Sequence, residues 1–179
     1  MTTKDSVRGL TRRELLARGV AAGAALSVGA GFVMHPGEAW AVEVKALTPR
    51  TMASLVQLAR DIYPHDQVAD RYYAAAVKAH DEQAAGDDAH RALIEDGIAT
   101  LDTMAQGAGA PSYIETGWEA DRVALLRQIE TSPFFQAVRG GLVVGLYNQK
   151  ELWPLFGYEG SSYEHGGYLD RGFDDIAWL

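Results

Sequence analysis

Thr48-Pro49-Arg50-Thr51-Met52-Ala53-Ser54-Leu55-Val56-Gln57-Leu58-Ala59-Arg60-Asp61-Ile62-Tyr63-Pro64 is the stretch that decides the fold class. A threonine followed by proline is a helix start. The hydroxyl can accept from an unpaired amide of the first turn, and proline at the first position gives up an N–H that no turn precedes. Met52, Leu55, Val56, Ala59, Ile62 and Tyr63 then recur at helical spacing, which predicts an amphipathic helix over residues 49–63. Pro64 ends it.

The same grammar repeats downstream. A second helical stretch runs from about Val68 to Ala85, with Tyr72, Tyr73, Ala76 and Val77 inward, and breaks at Gly86-Asp87-Asp88. Asp88 is expected to cap a third helix reaching about Gln106, with Leu93, Ile94, Ile98 and Leu101 inward. Gly107-Ala108-Gly109-Ala110-Pro111 is a loop. Thr116-Gly117-Trp118-Glu119 leads into a fourth helix carrying Val123, Leu125, Leu126 and Ile129. Ser132-Pro133 repeats the cap-and-proline start and opens a fifth, with Phe134, Phe135, Val138, Leu142, Val143, Leu146 and Tyr147. Val42 to Leu47 reads as a short extended lead-in, and no window sustains period-two alternation. The predicted fold class is all-α: one small domain of about five helices over residues 42–179, with an irregular tail over 148–179.

Upstream lies a different kind of segment. Thr11-Arg12-Arg13-Glu14-Leu15-Leu16 fits a twin-arginine signal: a hydroxyl residue, paired arginines, any residue, then two large apolar ones. Lys4 and Arg8 make the preceding segment basic. Gly19 to Met34 is uncharged and mostly Gly, Ala and Val, so it is only mildly apolar and shorter than a spanning helix. Ala39-Trp40-Ala41 places small residues where signal peptidase needs them, which predicts a cut after Ala41 and residues 1–41 as leader. Retention of the leader as an anchor is the alternative. The twin-arginine translocase moves folded proteins, so the work of this chain is expected beyond the cytoplasmic membrane, in the periplasm or on that membrane's outer face. The route suits a chain that binds, before export, a partner that needs a cofactor.

Composition narrows the chemistry. The chain has no cysteine, which excludes disulfides, covalently attached c-type haem and cysteine-ligated clusters. It holds 16 basic and 24 acidic residues; removing 5 basic and 3 acidic ones with residues 1–41 leaves 11 against 21, a formal charge of −10. So acidic a body is a poor ligand for nucleic acid or anionic lipid. His65, His80, His90 and His165 remain after the leader, and none stands three or four residues from another, so no metal site is expected. His65-Asp66 follows Pro64 and reads first as a turn, with a general base as the sharper alternative. Asp81-Glu82, Asp87-Asp88 and Asp174-Asp175 read as solvated faces or caps. No nucleophile elbow and no dinucleotide fingerprint is present. By elimination the chain reads as a non-catalytic component, with no cofactor of its own.

The tail is rich in glycine and aromatics: Trp153, Phe156, Tyr158, Tyr163, Tyr168, Phe173 and Trp178. A disordered tail would not normally carry so much aromatic surface. It is expected to lie on a surface, either its own helices or another subunit, for which aromatic anchors are well suited.

Several blocks together resemble a known family. They are the twin-arginine leader, Leu58 to Asp66, Ser132-Pro133-Phe134-Phe135, and above all Trp153 through Trp178, with Gly157-Tyr158-Glu159-Gly160, Gly166-Gly167-Tyr168-Leu169 and Gly172-Phe173-Asp174-Asp175-Ile176-Ala177-Trp178. Over nearly its whole length the chain resembles the small subunit of membrane-associated flavoprotein dehydrogenases, the gluconate 2-dehydrogenase subunit 3 family. The resemblance implies a large partner subunit of the glucose–methanol–choline type. That subunit holds FAD and oxidises an alcohol carbon of a sugar, polyol or sugar acid. It also implies, where present, a cytochrome c subunit that passes electrons to quinones. The small subunit supplies the export signal and carries no catalytic residues. What transfers is an interaction surface: Tyr158, Glu159, Tyr163, Tyr168, Phe173 and Trp178, and after them His65 and Asp66. Two other readings stay open here: a free-standing envelope binding or scaffold protein, and an enzyme using His65 and Asp66.

Overall fold

The computed structural model describes residues 27–29, 31–35 and 40–169. The body is helical. Among the described residues five α-helices follow one another: α1 (Pro49–Ile62), α2 (Asp70–Ala84), α3 (Asp88–Gly107), α4 (Glu119–Gln128) and α5 (Pro133–Tyr147). Two 3₁₀ segments, Lys150–Phe156 and Ser162–His165, occupy the described part of the tail.

The starts behave as their residue types require. The Thr48 side chain accepts from the Thr51 amide and Ser132 from Phe135, each with proline opening the helix behind it. The cap of α3 is Asp87 rather than the expected Asp88: its carboxylate accepts from the Ala89 and His90 amides, while Asp88 pairs with Arg91 one turn on. Either aspartate satisfies the same composition cue, and the backbone takes the extended conformation one residue earlier.

α1 lies at the centre. Met52, Leu55, Leu58 and Ala59 are fully buried in one core with Tyr73, Val77, Ile94, Leu101, Leu142 and Leu146. α2 is packed between α1, α3 and α5. Two glycines set the close approaches. A Cβ on Gly97 would stand 2.2 Å from the Phe134 ring, and one on Gly145 would stand 2.8 Å from the Ala76 carbonyl oxygen. Hydrogen at these positions lets α3 and α5 meet their neighbours at backbone distance. Several expected inward positions are only half-buried, among them Tyr72, Leu93 and Ile129, and Val143 faces outward.

Three short antiparallel strands precede the helices: β1 (Ser27–Gly29), β2 (Phe32–His35) and β3 (Trp40–Glu43), in the order β1-β2-β3. Periodicity did not forecast them, because three or four residues are too short for an alternating pattern to register. β1 and β2 fall inside the stretch read as leader, and the expected cut after Ala41 falls within β3, where Ala41 is opposite Met34. Val33 is fully buried in the common core. Arg12, Arg13, Leu15, Leu16 and Ala39 lie outside the described residues, as do Phe173 and Trp178. Among the described residues no helix is long and apolar enough to cross a membrane.

Candidate functional site

The tail leaves the C-terminal end of α5 through Asn148. Its first turn is firmly held. Leu152 is fully buried, the Gln149 amide donates to the carbonyls of Tyr72 (2.9 Å) and Gly145 (2.8 Å), and the Trp153 indole N–H donates to the Tyr147 carbonyl at 3.0 Å. Gly157 ends the 3₁₀ turn in the left-handed region, φ +70°, which a side chain would resist. Tyr158 then folds back, its amide 2.9 Å from the Trp153 carbonyl and its ring edge-on to the indole at 5.0 Å. The Lys150 ammonium lies 5.5 Å from the Trp153 ring centroid.

Beyond Trp153 the apolar side chains turn outward. Leu155, Phe156 and Tyr158 are exposed, and Tyr163, Tyr168 and Leu169 are 91%, 71% and 85% exposed. Of the two surfaces foreseen for the tail, its own body covers Leu152, part of Trp153 and one edge of Phe156, which lies against His65 and Tyr147, and leaves the other five exposed. Glu159 shares the ridge, its carbonyl 3.2 Å from the His165 ring nitrogen. Val143 and Val144 on α5 add exposed apolar surface to the helix that bears the tail. Single exposed hydrophobes are ordinary; six along one short segment are not.

The side chains of His65 and Asp66 have different surroundings. His65 Nε2 lies 2.7 Å from the Tyr147 hydroxyl, and its ring packs edge-on against Tyr147 and Phe156. Asp66 is exposed, and no hydrogen bond joins it to His65 among the described residues. Burial, then the neighbouring Tyr63, raises the Tyr147 hydroxyl above its ordinary value, which keeps it neutral and able to donate. His65 therefore joins the end of α1 to the root of the tail.

Two buried arrangements escaped sequence reading. His80 on α2 and His90 on α3 are both buried, stacked at 13° with centroids 5.3 Å apart, and His80 Nδ1 lies 3.1 Å from His90 Nε2. Ten residues and a helix turn separate them, so spacing along one helix could not reveal the pair. Burial, then His90, lowers His80 to about 4, so it is neutral at ordinary pH. Among the described residues no group of three or more His, Asp or Glu could hold a metal ion.

The second arrangement centres on Asp61. Arg122 Nε donates to Oδ2 at 2.7 Å and its terminal nitrogen to Oδ1 at 3.0 Å. The Tyr113 hydroxyl donates to Oδ2 at 2.6 Å and the Gln57 amide to Oδ1 at 3.1 Å. Arg122 also donates to the Thr116 carbonyl at 2.8 Å. Burial, then the Asp61 carboxylate, pushes the Tyr113 hydroxyl well above its usual value, so it stays a donor. With its acceptor capacity filled, Asp61 is a structural clamp between α1, α4 and the loop before α4, not a free base. It borders a cleft of about 440 Å³ between the end of α1, α4 and the start of α5.

The comparisons add nothing to this geometry: no family profile, no curated protein and no solved structure matches the chain.

Proposed function

We propose that this chain is the non-catalytic small subunit of an exported FAD-dependent dehydrogenase acting on a sugar, polyol or sugar acid. In this reading it carries the flavoprotein large subunit through the twin-arginine translocase. It then remains with that subunit in the periplasm or on the outer face of the cytoplasmic membrane, where a cytochrome c subunit can join them. The resemblance of the leader and of the Trp153–Trp178 block names the partner. The observation that carries the reading is the tail itself, anchored by Leu152 and Trp153 and then presenting Phe156, Tyr158, Tyr163 and Tyr168 to solvent. Aromatic side chains bury a large area and have few rotamers to freeze, so a rigidly rooted aromatic ridge is an economical docking surface. The placement of the histidines fits a non-catalytic role: His65 and the His80–His90 pair are spent on packing and on each other.

The test is purification of the affinity-tagged chain from its native host. A yellow preparation with a large flavoprotein band, lost from the exported fraction when Arg12 and Arg13 become lysine, is expected. A colourless, monodisperse monomer in that fraction would overturn the reading in favour of a free-standing binding protein.

A further inference from the structure

The cleft beside Asp61 has a chemistry that neither the export role nor the tail uses. Ile62, Val123, Leu126 and Phe135 give it apolar walls, and Arg127 and Arg139 reach it from α4 and α5. Its volume, about 440 Å³, lies in the range of small-molecule sites. Asp61 contributes no free negative charge, because Arg122 neutralises it from within the wall. That leaves Arg127 and Arg139 against one carboxylate, Glu130, and among the described residues none of the three forms an ion pair. The cleft is locally cationic on a chain of net charge −8. Two arginines lining a recess with apolar walls would hold an anion, since their planar guanidinium forks match a carboxylate or phosphate.

We propose that the cleft between α1, α4 and α5 binds a small amphipathic organic anion, its carboxylate or phosphate held by Arg127 and Arg139 and its apolar body against Leu126 and Phe135. Gln136 adds a polar group at the rim, where its side-chain amide donates to the Glu130 carbonyl at 2.6 Å. The site is separate from the docking ridge. Arg139 stands eight residues before Tyr147, about 12 Å along the helix at 1.5 Å per residue. The small subunit would thus carry a ligand site of its own, which an anionic metabolite could fill whether or not the partner is bound.

The test uses the full chain, alone or in whatever complex it is purified with, and two fluorine probes of one shape: 6-fluoro-2-naphthoate and the uncharged 6-fluoro-2-naphthalenemethanol. Fluorine-19 line broadening gives the affinity of each. The acid should bind at least about tenfold more tightly than the alcohol, a gap that two charge-assisted contacts readily supply. Arg127→Gln with Arg139→Gln should remove the difference. Both arginines are exposed, so their loss leaves the core intact. Equal binding of acid and alcohol, no binding of either, or an acid preference that survives the double substitution would each overturn the proposal. None of these outcomes depends on whether a flavoprotein accompanies the chain, so failure here is distinct from failure of the export role.

Discussion

The helical body and the tail that leaves it use polar and aromatic residues in opposite ways. In the body, charge is turned inward and consumed. The fully buried Asp81 carboxylate accepts from the backbone amides of Lys45, Ala46 and Leu47, each at 2.9 Å, and so fastens the lead-in to α2. Asp61 does the same for α1 and α4 through Arg122 and Tyr113. In the tail, the side chains that could form a second core, Phe156, Tyr158, Tyr163 and Tyr168, face solvent. The buried charges of the body are satisfied within it, whereas the tail is rooted at one end and left open. Substitutions at those buried charges should therefore be read as stability and those at the exposed tail rings as association.

The largest effect belongs to the Asp61 clamp. Arg122→Ala leaves a buried carboxylate with only the Tyr113 and Gln57 donors and no counter-charge, and it should destabilise the fold by about 3–5 kcal/mol in urea unfolding. A loss below about 1 kcal/mol would mean that the clamp is solvated and that the contrast with the tail is overstated. Asp81→Ala comes next. It removes the acceptor of three amides, of which Leu47 is buried and Lys45 and Ala46 are partly so, and at roughly 1–3 kcal/mol for an unsatisfied buried group it should cost about 3 kcal/mol in the same measurement. It should also free the lead-in, which amide exchange at Lys45 to Leu47 would report.

The His80–His90 pair sharpens the comparison through pH. The folded chain holds His80 at about 4, below the ordinary 6.5. Between those values the unfolded chain takes up a proton that the folded chain refuses, so stability falls as pH drops from about 6.5 towards 4. The full loss from this group is about 3 kcal/mol, from 1.36 kcal/mol per pKa unit. His80→Gln should flatten the curve in that window relative to the parent chain. The carboxylates are the same in both proteins, so the difference between the two curves isolates the histidine. Identical slopes would show that His80 takes up its proton in the fold without penalty.

How much of this could be read in advance follows from the range of each interaction. Thr48-Pro49, Ser132-Pro133 and the spacing of Met52, Leu55, Val56 and Ala59 act within one or two turns, so they locate α1 and α5 to within a residue. The tail's opening turn and its aromatics were legible as composition, but their exposure was not, because which side of a segment faces solvent depends on what the body leaves room for. His80 with His90, Asp61 with Arg122 and Asp81 with Lys45 to Leu47 join residues 10 to 61 positions apart. No local pattern encodes such pairs. In the sequence Asp81 stands beside Glu82 as one of several acidic doublets that read as solvated faces or caps; the fold sends Asp81 inward and Glu82 outward. The strands β1 to β3 were missed for the converse reason: they are local but too short to show a period.

The smallest expected effect on stability is the most telling for function. Tyr163→Ser with Tyr168→Ser removes two rings that are mostly in water, so unfolding should change by no more than about 0.5 kcal/mol per site. If the ridge is a docking surface, the same double variant should still be exported and folded yet lose most of the co-purifying flavoprotein, since exposed aromatics at an interface centre commonly contribute 2 kcal/mol or more each, at least about thirtyfold in affinity. Trp153→Ala supplies the complementary case. It removes the indole that holds the tail to Tyr147, so it should cost both association and some local order. A double tyrosine variant that unfolds would place those rings in the core of the molecule; one that keeps its partner would move the docking surface elsewhere, with Val143 and Val144 on α5 the next exposed apolar positions to substitute.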